Sequence, residues 1–137
     1  VSRFGSVDEL LSDARSRLHR VTPLEAADEV AGGALIVDIR PSWQRIEDGE
    51  VPGSVIIERN HLEWRLHPES DARIPQAGPG QRWLVICSEG YTSSLAADAL
   101  NSIGVPATDI VGGIHAWKAA GLPWVAGASA VEALVHA

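Results

Sequence analysis

The chain has 137 residues, 45% of them hydrophobic and 21% charged, which suits a single folded domain with a real core rather than a disordered chain. Its formal charge of −7 argues against nucleic acid, where a basic face supplies most of the affinity, and against an anionic membrane surface. One cysteine, Cys87, excludes an internal disulfide framework and any zinc site that needs two or more Cys ligands.

Val1 to Asp13 lacks the basic-then-apolar pattern of a secretory signal, and no apolar run approaches the roughly 20 residues of a spanning helix. A cytoplasmic protein with no membrane partner is the expectation. Ser6-Val7-Asp8-Glu9 has the form of a capping box, and Leu10, Leu11, Ala14 and Leu18 recur at helical spacing. This predicts a helix over residues 7–18. Thr22-Pro23-Leu24-Glu25 repeats the signal, predicting a second helix from Pro23 to Ala31 that stops at Gly32-Gly33.

Ala34 to Ile39 is a short apolar run closed by Arg40-Pro41 and reads as a strand buried on both faces. Residues 42–48 suit a helical turn, Val51-Pro52-Gly53 a turn, Ser54 to Glu58 a strand and His61 to Leu66 a short helix. Pro68 to Arg82 is loop-like. Trp83 to Cys87 reads as a buried strand, Thr92 to Ile103 as a helix ended by Gly104, Asp109 to Val111 as a last strand and His115 to Ala120 as a last helix. Residues 130–137 suit a helical turn or a frayed end.

Alternating strands and helices predict an α/β domain with a mainly parallel sheet. Reactive groups in such sheets gather at the carboxyl ends of the strands, where Asp38 and Cys87 fall. Cys87 is followed by Ser88-Glu89-Gly90-Tyr91-Thr92-Ser93 and then a helix. A strand-to-helix loop exposes unpaired backbone N–H groups that can curl into an anion-binding nest, and the helix dipole adds partial positive charge. Both favour thiolate, the nucleophilic form. Gly90 allows the backbone angles such a loop needs, and the hydroxyls of Ser88, Thr92 and Ser93 are placed to donate to the sulfur or to a bound anion. The same position also suits a Cys that is only a small buried hydrophobe. From these residues alone both readings stand.

Cys87-Ser88-Glu89-Gly90-Tyr91-Thr92-Ser93-Ser94 resembles the active-site loop of rhodanese-like sulfurtransferases. Three further stretches resemble that family in the same order: Leu35 to Arg40 with its Asp-x-Arg, the turn Gly49-Glu50-Val51-Pro52-Gly53-Ser54, and Ile110 to Trp117 followed by Gly121-Leu122-Pro123. The resemblance covers about residues 20–125. It implies a rhodanese-like fold, a five-stranded, mainly parallel sheet with helices on both faces. Outside the resemblance lie an N-terminal helical extension over residues 1–19, read from the capping box and apolar spacing, and a tail over 127–137, free to pack on the domain over 20–126 or on a second subunit of a homodimer.

The resemblance implies a mechanism as well. Cys87 takes sulfane sulfur from a small donor of the thiosulfate or 3-mercaptopyruvate type, and the persulfide passes it to a thiol or cyanide acceptor. No metal or organic cofactor is needed. The backbone around Ser88, Glu89, Gly90, Tyr91, Thr92 and Ser93 would hold the anion, Asp38 would brace the loop by hydrogen bonds, and Arg40 would tie loops together or else help to hold an anionic donor. The alternative role is a sulfur-carrier or protein-interaction module with little turnover of small donors. The related dual-specificity phosphatases use a longer loop with an arginine clamp, and the corresponding position here is Ser93.

The sequence also departs from the family. Where many members carry a basic loop residue, this chain has Ser88, Glu89 and Tyr91. An inward Glu89 would repel an anionic donor by about 1 kcal/mol for a solvated pair near ~4 Å. The usual His of the Pro-Gly turn is Glu50, and the usual Glu-aromatic pair is Gln44-Arg45 or is displaced to Glu47. The five histidines show no metal spacing, and the five tryptophans read as packing residues.

Overall fold

A computed structural model describes residues 1–130 of the chain. Helix α1 spans Val7–Arg15; the Ser6 hydroxyl accepts the Glu9 N–H, and the Glu9 carboxylate accepts the Gly5 N–H at 2.7 Å. It ends earlier than the apolar spacing predicts because the chain tightens into i→i+3 turns at Arg17 and Leu18. Helix α2, Pro23–Ala31, carries a complete capping box between Thr22 and Glu25. There follow β1 (Leu35–Asp38), α3 (Ser42–Asp48), β2 (Val55–Ile56), a 3-10 turn at Arg59–His61 running into α4 (Leu62–Leu66), β3 (Trp83–Ile86), α5 (Thr92–Ser102), β4 (Ala107–Asp109) and α6 (Gly113–Ala119).

The strands form one parallel sheet in the order β2-β1-β3-β4. This is the expected α/β architecture with four strands in the ladder instead of five. The missing fifth is reduced to Val21, which makes a single parallel bridge to Ile110 at the outer edge of β4. Thr22 and Pro23 begin α2 at once, so the strand has no room to extend. The last strand also lies earlier than expected. Ala107 to Asp109 pair with Trp83 to Val85, whereas Ile110 and Val111 face Val21 and run into the turn before α6.

Alternation along the strands splits the core in two. Val37, Ile39, Trp83, Val85 and Cys87 face one layer with Leu62 and Leu66 of α4 and Ala96, Ala97 and Leu100 of α5. Ile36, Leu84 and Ile86 face the other, with Ala26 of α2 and Ile114 and Trp117 of α6. A fully buried Leu or Ile of this kind contributes about 1.5–3 kcal/mol by removal from water. Helix α1 lies against α5, with Ala14 buried. The double layer carries the ends of β1, β3 and β4 to one rim, where the chain leaves the sheet for polar loops.

The predicted tail begins at residue 127, and its first residues pack on the domain. Ser129 donates its N–H and hydroxyl to the Glu50 carboxylate, and the Ser129 carbonyl accepts from Arg45. The helical turn expected at 130–137 falls almost wholly outside the described residues.

Candidate active site around Cys87

Cys87 follows β3 directly and is only 3% exposed. Its Sγ accepts the Gly90 N–H at 3.2 Å. Gly90 has φ +87°, and a Cβ there would meet the Gly112 nitrogen at 2.8 Å, so the turn that returns this N–H to the sulfur requires glycine.

The loop carbonyls point the other way. Those of Cys87 and Ser88 accept the N–H groups of Ile114 (2.9 Å) and His115 (3.3 Å) in the first turn of α6. This approach also depends on glycine: a Cβ on Gly113 would lie 2.4 Å from the Cys87 oxygen. The Gly90 carbonyl accepts from Arg15 and Arg20. In a planar trans peptide, N–H and C=O point oppositely, so outward carbonyls turn the amides of Ser88, Glu89 and Tyr91 to the concave side. Those three amides donate to no protein acceptor among the described residues. The result is a nest of donors beside a sulfur, an arrangement that can hold an anion on that sulfur.

Several predicted residues do other work. Asp38 does not brace this loop. Its buried carboxylate is taken by Arg40, through Nε at 3.0 Å, Nη2 at 2.7 Å and the backbone N–H. Two residues apart at a strand end, the guanidinium folds back over its own turn, and its Nη2 also donates to the Gly49 carbonyl. Arg40 thus ties the end of β1 to the turn after α3. Ser93 is buried and gives its hydroxyl to Asp109 at 2.8 Å, and Ser88 gives its hydroxyl to Gln44 at 3.0 Å, so neither is aimed at the sulfur. Thr92, Glu89 and Tyr91 line the cleft in front of Cys87.

That cleft has a volume of about 480 Å³, and its far wall is α3, through Trp43, Gln44, Glu47 and Asp48. Its ionisable groups other than Cys87 and Tyr91 are Glu47, Asp48, Glu89 and His115, and no Lys or Arg lines it. The His115 Nε2 lies 3.7 Å from the Asp48 carboxylate. Trp43 and Tyr91 flank the opening at 62% and 60% exposure. A smaller cleft of about 250 Å³ between α2, α6 and the Pro52-Gly53 turn is lined by apolar residues and Ser54, and holds no nucleophile beyond that hydroxyl. Among the described residues, no group of three or more His, Cys, Asp or Glu is gathered to hold a metal ion.

The outer brace has no counterpart among the expected site residues. Asp109, fully buried at the end of β4, accepts from Arg20 at 2.9 and 3.1 Å and from the hydroxyls of Ser93 and Ser94 at 2.8 Å each. The strand-end rule that selected Asp38 and Cys87 also reaches Asp109, one strand over. Nothing in the sequence marks Gln44, Glu47, Asp48 or His115 as cleft residues, because they meet the cleft only through the fold.

Comparison with known proteins identifies the family and the fold. The curated adenylyltransferase and sulfurtransferase UBA4 of Yarrowia lipolytica is 31% identical over 99 residues, 72% of this chain and 23% of that protein. The Zea mays adenylyltransferase and sulfurtransferase MOCS3-1 is 33% identical over 84 residues, 61% of this chain and 18% of that protein. This chain therefore spans a quarter or less of the curated relatives it matches. Among solved structures, a Rhodopseudomonas palustris protein of unknown function, described as a possible tyrosine phosphatase, superposes with a TM-score of 0.80 at 29% identity, covering 91% of this chain and 98% of its own. A thiosulfate sulfurtransferase from Pseudomonas aeruginosa shares the fold at a TM-score of 0.65 and 24% identity, over 81% of this chain and 20% of its own. The rhodanese-like domain family matches residues 22–120, and the chain belongs to that family.

Proposed function

We propose that the protein is a sulfurtransferase that carries sulfane sulfur on Cys87. The observation that carries this reading is the Gly90 N–H on the Cys87 Sγ within a loop whose Cys87, Ser88 and Gly90 carbonyls turn outward. In the first step the Cys87 thiolate attacks the outer sulfur of the donor. A bond forms between Sγ and that sulfur, the donor's own bond to it breaks, and the leaving group (sulfite, if the donor is thiosulfate) departs with the electron pair. In the second step a thiol or cyanide acceptor, as its anion, attacks the terminal sulfur, and the Cys87 thiolate is released. The inward amides of Ser88, Glu89, Gly90 and Tyr91 stabilise the persulfide anion between the steps.

The cleft favours an acceptor or donor that is not strongly anionic. Glu47, Asp48 and Glu89 surround the approach with no basic side chain among them. This supports the second reading, a carrier that exchanges sulfur with a protein-borne thiol at the Trp43 and Tyr91 rim rather than turning over small dianions. A phosphatase reading lacks its clamp, since Ser93 stands where the arginine would be and is buried against Asp109. A reducing compartment such as the cytoplasm suits a chain whose one thiol must stay free.

Intact mass after incubation with thiosulfate or 3-mercaptopyruvate tests the reading. The wild type is expected to gain one sulfur that dithiothreitol or cyanide removes, and Cys87→Ser to gain none. A wild type that takes up no sulfur from any donor, including a persulfide-loaded protein, overturns it. Rapid steady-state cyanolysis with a small donor would remove the carrier alternative.

A further inference from the structure

The Cys87 loop is gripped from outside the segment that matches the family. Arg15 ends α1 and Arg20 precedes Val21, and both lie before residue 22, where the match begins. The two guanidiniums donate to one acceptor, the Gly90 carbonyl, at 2.6 Å from Arg15 and 2.9 Å from Arg20. Their surroundings differ. Arg20 is paired with the buried Asp109 through two hydrogen bonds, so its charge is compensated. Arg15 donates its Nε to the Ser94 hydroxyl at 3.1 Å, stands over the Tyr91 ring and meets no carboxylate among the described residues.

The carbonyl they share belongs to the peptide whose other end is the Tyr91 N–H. A charge-assisted bond to the oxygen both orients that peptide and polarises its N–H. We propose that Arg15 is a positioning residue of the sulfur site: through the Gly90 carbonyl it holds the Tyr91 N–H on the concave side of the loop, facing the sulfur. The N-terminal helix is then part of the site and not an appendage to it. The inference rests on the sulfur-transfer reading only for the identity of the anion; the geometry itself is measurable without turnover.

The test compares Arg15→Ala, Arg15→Lys and Arg17→Ala in the full chain. Arg17 joins the same N-terminal segment to α5 through Asp98, at 2.9 and 2.8 Å, and does not touch the loop, so its loss reports helix docking alone. The readouts are the rate of Cys87 alkylation by iodoacetamide, the rate of sulfur loading, and the amide 15N and 1H shifts of Tyr91. Arg15→Ala is expected to slow both rates about tenfold, the weight of one hydrogen bond to a charged group, and to move the Tyr91 amide. Arg15→Lys restores most of the loss, since an ammonium still reaches one acceptor. Arg17→Ala leaves the rates within about twofold.

Equal behaviour of Arg15→Ala and Arg17→Ala in rates and shifts overturns the proposal, as does an Arg15→Lys no better than Arg15→Ala. If the alkylation and amide pattern holds while the wild type accepts no sulfur from any donor, the sulfur-transfer reading fails and the positioning role stands.

Discussion

At the scale of the residue, the site joins a donor-lined sulfur to an acidic approach. Glu89 is exposed beside Cys87 and lines the same cleft as Glu47 and Asp48. A charge reversal there replaces repulsion of an anionic donor by attraction, each about 1 kcal/mol for a solvated pair near ~4 Å. Glu89→Arg is therefore expected to raise the second-order rate of loading from thiosulfate by about tenfold, with the gain shrinking in high salt. An unchanged rate would show that Glu89 does not face the donor. Cys87 is legible in the sequence because its setting is local, an apolar strand running into a polar, glycine-bearing loop before a helix. Arg15, Arg20 and Asp109 are not legible. They meet the loop or each other across 75, 70 and 89 positions, which leaves no periodic trace. Asp38 misleads for the opposite reason. Its strand-end place is as expected, but a closer partner, Arg40, claims its carboxylate first.

At the scale of the element, the start of α6 matters as much as the start of α5. The first turn of α6 caps two carbonyls of the loop, and Gly113, at φ +58°, makes the approach possible. Gly113→Ala puts a Cβ 2.4 Å from the Cys87 oxygen and a side chain on left-handed backbone. The expected cost is about 1–3 kcal/mol from the backbone alone, measured as a lowered urea midpoint. Sulfur loading should fall further than stability does, because the carbonyls that lose their caps are those that keep the amides inward. Element identity reads well from the sequence where caps are chemical: α2 begins at Pro23 and ends at Ala31 as its capping box and glycines predict. It reads less well where pairing decides. The bounds of β4 follow its register on β3, and the intended fifth strand shrinks to Val21 because a helix signal sits directly after it.

At the scale of the whole molecule, helix α1 and Ser129, near the two limits of the described residues, both pack on the domain. The carboxyl-terminal contact joins the exposed Ser129 to a buried ion pair, with Glu50 bound by Arg45 at 2.7 Å and by Ser129 at 3.0 and 2.7 Å. Burial alone pushes the Glu50 carboxyl up, but the hydrogen bonds from Arg45 and Ser129 outweigh it and hold the group below the ordinary carboxylate range. With the folded value below the unfolded one, the stabilisation is fully present above the unfolded value, about 4.3, and is lost as pH falls through the folded one. Urea midpoints are therefore expected to hold from neutrality to about pH 5 and to drop below about pH 4, with Glu50→Gln blunting that drop. Glu50→Ala should cost about 3–5 kcal/mol at neutral pH, since it leaves the Arg45 charge buried without its partner.

The edges of the sheet carry a consequence of their own. One edge is β2, two residues long, and the other is covered by the single bridge of Val21. A stranger's strand needs a run of unpaired N–H and C=O groups to dock against, and neither stub supplies one. The reduced fifth strand thus acts as a guard against edge-to-edge aggregation, letting many copies of the chain crowd together without sharing a sheet.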